Sequence, residues 1–150
     1  MRVSKPVFFE RLHPSIGTVM ALMLSGPMVL LAALPFSSVL AIVLALTVPL
    51  GLIVVVIVTA PTLSLQGDEL KVGRMSIPLT ALGEAKFFEG EAARFERGPG
   101  LSPGSQRLFR GDIAAVVRIE IVDPSDPTEY VLFSSRRGKE LVSALDANRT

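Results

Sequence analysis

Cysteine is missing from all 150 residues, which excludes a disulfide framework and a cysteine nucleophile. Histidine occurs once, at His13, and no serine stands in a G-x-S-x-G elbow, so the familiar nucleophile–histidine networks are missing too. There is a single tyrosine, the formal net charge is only +1, and no recognition motif is present, so nucleic-acid binding is not expected. No phosphate-binding glycine loop occurs either. The most consequential absence lies between His13 and Asp68, where there is no Asp, Glu, Lys or Arg. That stretch has none of the groups on which an intramembrane proton or ion relay depends, and it is too short to enclose a transport pathway.

What fills the gap is apolar. A hydrocarbon core about 30 Å thick needs roughly 20 helical residues, so one helix through the whole run would be far too long. The "LPFSS" segment, residues 34 to 38, divides it into predicted spans near 16–34 and 39–59, joined by a short turn as an antiparallel hairpin. Pro27 and Pro49 predict a local bend in each helix. Gly17, Ala21 and Ser25 form a small-residue stripe that permits close helix contact, with another subunit or within the chain. A cleaved first helix is the competing arrangement. The long apolar run, the immediate second span and the poor cleavage match of "LAALPFSS" count against it. Arg2, Lys5 and Arg11 before the run, with Lys71 and Arg74 after it, predict that both ends face the cytoplasm.

After Pro61 the apolar period shortens. "TLSLQGDELKVG" alternates as two strands around a Gly67–Asp68 turn, and a further short strand is expected near Met75 to Ile77. "AKFFEGEAARFERG" fits either a strand or a short amphipathic helix. "GPGLSPGSQ", residues 98 to 106, reads as a loop. "AAVVRIEIVD" predicts a strand with Ala115, Val117, Ile119 and Ile121 toward the core and Arg118 and Glu120 toward solvent. "EYVLFSS" is its expected neighbour, and "GKELVSALDA" a terminal helix packed on the sheet. The fold class is thus an α+β membrane protein. Residues 1–61 form a short tail and transmembrane hairpin, and residues 62–150 a β-rich cytoplasmic domain with a C-terminal helix.

The segment "IVDPSDPTEYVLFSSRRGKEL", residues 121 to 141, is the most distinctive. Asp123-Pro124 and Asp126-Pro127, ahead of Tyr130, have the chemistry to cap and restrict a loop between strands. Two carboxylates also suit Mg²⁺, but without further ligands no metal site is assigned. Arg136, Arg137 and Lys139 at a helix start are poorly matched to its dipole unless an acid or a bound anion screens them, which makes them the candidate anion-binding set. No catalytic or cofactor-binding residue is assigned.

With short basic N-terminus, two spans, "IPL" at 77–79 and "VDPSDPTEYVLFSSRRGKEL" at 122–141, the chain resembles a family of small two-pass actinobacterial membrane proteins known as a domain of unknown function. Asp123, Pro124, Asp126, Pro127, Thr128, Tyr130, Ser134, Arg136 and Arg137 occupy its signature, while Val131 stands where that signature carries an aromatic residue. The resemblance implies a membrane protein and no reaction. The strands followed by a helix are also similar, less closely, to bacterial pleckstrin-homology-like domains. The leading expectation is a noncatalytic assembly or scaffold component in the bilayer, with a protein partner or a second copy of itself. The alternatives are a module that binds anionic lipid or another anion, and an enzyme subunit active only in a complex.

Overall fold

The residues before the apolar run belong to the same folded unit as those after it. In a computed structural model, which describes residues 5–149, the chain up to Leu12 and from Pro61 onward forms one unit, and residues 13–60 form the other. This corrects the expected partition at residues 61 and 62. Phe8–Arg11, assigned by pattern to a tail, are strand β1, paired with residues far along the chain that a local reading does not reach. Arg2, one of the basic flanking residues, lies outside the described residues.

The helical unit contains α1 (Ile16–Met23), α2 (Ser25–Ala33) and α3 (Ser38–Val58). Residues 16–33 and 38–58 are each long and apolar enough to cross a membrane by length and composition. Ser15 caps α1 by accepting from the Thr18 amide at 3.2 Å, and Ser37 stands at the start of α3. The first span breaks at Leu24 between α1 and α2. Pro27 has no amide for the Met23 carbonyl, and Ser25 Oγ meets the nearby Leu22 carbonyl at 2.6 Å. The second span, by contrast, continues as one helix through Pro49. Pro49 also deprives the Ala45 carbonyl of its helical donor, and Gly26 of α2 packs there. A β-carbon at Gly26 would lie 2.9 Å from that oxygen, so only a glycine fits. Gly26, Ala33, Ala41 and Pro49 are the buried residues of α2 and α3. Gly17 and Ala21 are exposed, and Ser25 is half-buried. The predicted stripe is therefore not the face on which the two spans meet.

The β-rich unit has two four-stranded sheets. The first runs in the order β1, β2 (Thr62–Gln66), β3 (Glu69–Val72) and β4 (Met75–Pro78), all antiparallel. Gly67 supplies the positive φ of 57° for the β2–β3 turn, a conformation glycine adopts without a steric penalty. The second sheet has the order β5 (Leu82–Phe88), β7 (Val116–Ile121), β8 (Tyr130–Ser134) and β6 (Gln106–Leu108). β6 runs parallel to β8 and the other pairs are antiparallel. Between β5 and β6 lies α4 (Gly90–Arg97), and α5 (Gly138–Arg149) ends the chain. "AKFFEGEAARFERG" thus contributes to both a strand and a helix.

Alternation along β1 to β3 sends Phe8, Leu63, Leu65, Leu70 and Val72 into one core with Val117, Ile119, Val131 and Phe133 of the second sheet and Leu141 and Leu145 of α5. Burying each such leucine contributes about 1.5–3 kcal/mol. The other face of the second sheet is covered too, by Ala93 of α4 packed with Val116, Tyr130 and Leu132. Every residue of β8 is therefore buried. Arg118 and Glu120, expected in solvent, are half-buried on this covered face; a helix that the local pattern left undecided overlies the sheet there.

Candidate functional site

Ser135, Arg136 and Arg137 lie where β8 passes into α5, and an acid from β1 meets the first two. Strand alternation turns Phe8 and Glu10 inward and Phe9 and Arg11 outward. Glu10 is thereby a carboxylate only 7% exposed, which requires hydrogen-bond donors. Ser135 Oγ donates to its Oε2 at 2.5 Å and the Arg136 amide to its Oε1 at 2.9 Å. The Arg137 amide in turn donates to Ser135 Oγ at 3.2 Å. The backbone turn leading into α5 is thus built around an anion that the chain itself supplies.

Arg137 covers the free edge of β1. The Leu12 amide bonds to the Pro61 carbonyl at 3.0 Å, and antiparallel alternation then leaves the Phe9 backbone facing away from β2. Arg137 Nη1 donates to that Phe9 carbonyl at 3.3 Å, and its guanidinium lies 5.3 Å from the Phe8 ring centroid. It also pairs with Glu140. The hydrogen bond to Glu140 raises the Arg137 pKa, and the same contact holds the Glu140 carboxyl below the usual carboxylate range.

The other two members of the predicted anion set also have acids at hand. Arg136 Nη2 is 3.3 Å from Asp112 and Lys139 Nζ 3.5 Å from Glu89, with the ammonium 5.3 Å from the Phe87 ring centroid. Arg110 Nε approaches Asp112 at 3.4 Å. The Arg110 amide and Arg97 Nη2 donate to Ser134 Oγ at 3.0 and 3.2 Å, and Arg97 also donates to the Ile113 carbonyl. Burial lowers the Arg97 pKa, and its guanidinium sits 5.5 Å from the Phe109 ring centroid. Ser134 and Ser135 are fully buried, and their hydroxyls hold backbone and side chains in place.

The Asp-Pro loop has the capping chemistry read from its composition. Asp123 Oδ1 accepts from the Ser125 hydroxyl at 2.6 Å and its amide at 2.9 Å, contacts that hold its carboxyl below the usual range. Asp126 Oδ1 accepts from the Thr128 amide at 2.8 Å. Pro124 and Pro127, each directly after one of these aspartates, are exposed. Tyr130, beyond this loop, anchors a different one: its hydroxyl accepts from the Ser102 amide at 2.7 Å and donates to the Gly100 carbonyl at 3.2 Å. Arg118 lies 4.0 Å from its ring centroid and pairs with Glu96 of α4 at 3.1 Å. Ring and hydroxyl together hold the glycine- and proline-rich loop over the sheet.

A family model described as "Protein of unknown function (DUF3093)" matches residues 7–145. The chain belongs to that family. The DUF3093 match extends from just before β1 into α5, so it includes both Glu10 and the residues that bind it. No curated protein and no solved structure matches the chain. The resemblance and the charge at a helix start had drawn attention to Arg136 and Arg137, whereas Glu10, Asp112 and Arg97 were missed. For Glu10 a signal was present: a carboxylate in "FFER", at a position that alternation pairs with the core-facing Phe8.

Proposed function

We propose that this chain is a two-pass membrane protein whose β-rich unit is a noncatalytic assembly platform, held at the cytoplasmic face for a protein partner or a second copy. The observation that carries the reading is the place of the helical hairpin. It is spliced between β1 and β2, adjacent strands of one sheet, with Leu12 bonded to Pro61 where the chain leaves and returns. Strands that pair must share a side of the bilayer, so both flanks of the hairpin lie together. The same feature supports retention of the first span, since cleavage after it would remove β1 and Glu10. The basic flanks then favour the cytoplasm for that side.

The signature supports a structural use. Its cations have acidic neighbours within the chain, and its amides and hydroxyls fasten β1. An anionic-ligand role has less support at Arg136, Arg137 and Lys139, because Glu10 already meets the amide and hydroxyl there. Crosslinking of the intact protein in native membranes, followed by extraction in mild detergent, is expected to give a stoichiometric partner or a defined homo-oligomer. A monomer without specific crosslinks would overturn the platform.

Orientation is tested separately. The native chain contains no cysteine, so single cysteines at exposed Ser37 and Ser143 report cleanly. A membrane-impermeant thiol reagent is expected to label Ser37→Cys in intact cells and Ser143→Cys only after permeabilisation. The reverse pattern would invert the topology.

A further inference from the structure

We propose that the outward face of β1 is a lipid-contact surface that lies in the headgroup region of an anionic bilayer. This rests on the membrane reading above and adds a site to it. Phe9 is 51% exposed, as the inward alternation of Phe8 and Glu10 requires, and Val7, in the bend just before the strand, is 59% exposed. Their flanks are cationic, with Lys5 on one side and Arg11 on the other, both exposed. Across the same face Phe9 neighbours Ser64, and Ser64 neighbours Lys71. The ring is therefore bordered by a small hydroxyl and not by an apolar cover. Glu69 is the acid on this face of β2 and β3, and it accepts from Ser76 Oγ at 2.9 Å.

Two features choose lipid as the occupant. Aromatic and aliphatic side chains set among lysine and arginine match a membrane interface, where rings sit at headgroup level and cations meet anionic lipid. Continuity supplies the second. The strand ends at Arg11 and the first span begins at Ile16, so at most about 15–18 Å of extended chain separates them. On the return, β2 starts at Thr62 after a span that ends at Val58. Both connections are only a few residues long.

The chain has no tryptophan, so single tryptophans are unambiguous probes. The full-length protein is reconstituted into vesicles of equal parts phosphatidylcholine and phosphatidylglycerol, with phosphatidylcholine brominated either near the headgroup or near the chain end. Phe9→Trp and, as a second probe of the same face, Val7→Trp are compared with Leu46→Trp in α3 and with Val122→Trp, 57% exposed in the loop after β7. For interfacial burial of about 5–10 Å, shallow bromines are expected to quench Phe9→Trp and Val7→Trp roughly twofold more than Val122→Trp. Deep bromines are expected to quench Leu46→Trp. Quenching at Leu46 with none above the Val122 level at either β1 position overturns the lipid surface and leaves the membrane reading standing. No quenching at Leu46 removes both.

Discussion

Replacing Glu10 with alanine is expected to destabilise the β-rich unit by about 3 kcal/mol, because two donors in a buried site lose their shared acceptor. Ser135 Oγ and the Arg136 amide bond to that carboxylate at 2.5 and 2.9 Å. Glu10→Gln keeps the shape and one carbonyl acceptor but not the charge, so a loss nearer ~1 kcal/mol is expected. Denaturant unfolding of the full-length protein in detergent measures both, and proteolysis within residues 5–12 reports release of β1. Lys71→Ala, on the exposed face, serves as a control and is expected to stay within about 0.5 kcal/mol of the parent. If Glu10→Ala also stays within that margin, the carboxylate does not hold the strand.

Gly138→Val should be comparably damaging for a different reason. Gly138 opens α5 and is buried against two strands: a β-carbon there would lie 2.7 Å from Val117 Cγ2 and 2.7 Å from Phe87 Cε2, with Phe87 Cδ2 nearer still. Overpacking of this kind costs about 1–3 kcal/mol for small additions, and valine adds two further methyl groups beyond the β-carbon. Hydrogen exchange is expected to show loss of protection in α5 first, as the helix lifts from the sheet. Combining the change with Phe87→Ala should recover part of the loss, since the two residues compete for the same volume. Normal protection in Gly138→Val would show that the helix does not approach the sheet as closely as described.

How legible this was depended on the distance over which each feature is decided. The two long apolar helices were legible because hydropathy is local: an uncharged run with a "LPFSS" break needs no partner to be recognised. The strand at Val116–Ile121 and the helix at Gly138–Arg149 were visible for the same reason, each having an apolar period of its own. Phe8–Arg11 has only four residues, and its meaning comes from Leu63 and Leu65 opposite it. The site had the same difficulty. Arginines in "SSRRGKEL" stood out as unscreened charge at a helix start, but the acid that completes the turn lies 125 residues earlier. The covered face of Arg118 was hidden likewise, because Glu96 and the loop held by Tyr130 come from elsewhere in the chain.

The splice between β1 and β2 also dictates an order of events during synthesis. β1 leaves the ribosome before its hydrogen-bonding neighbour, which follows the whole helical hairpin, and the donors for Glu10 come 125 and 126 residues after it. Closing a loop that long in water costs entropy that grows with the logarithm of its length. On the proposed two-pass topology, a hairpin formed in the bilayer would bring its own ends together and so shorten the loop that pairing β1 with β2 must close. Under the two-pass topology the bilayer thus acts as a folding template. On that topology the first sheet would assemble on a membrane-inserted turn, and Ser135 and Arg136 would then lock it through Glu10.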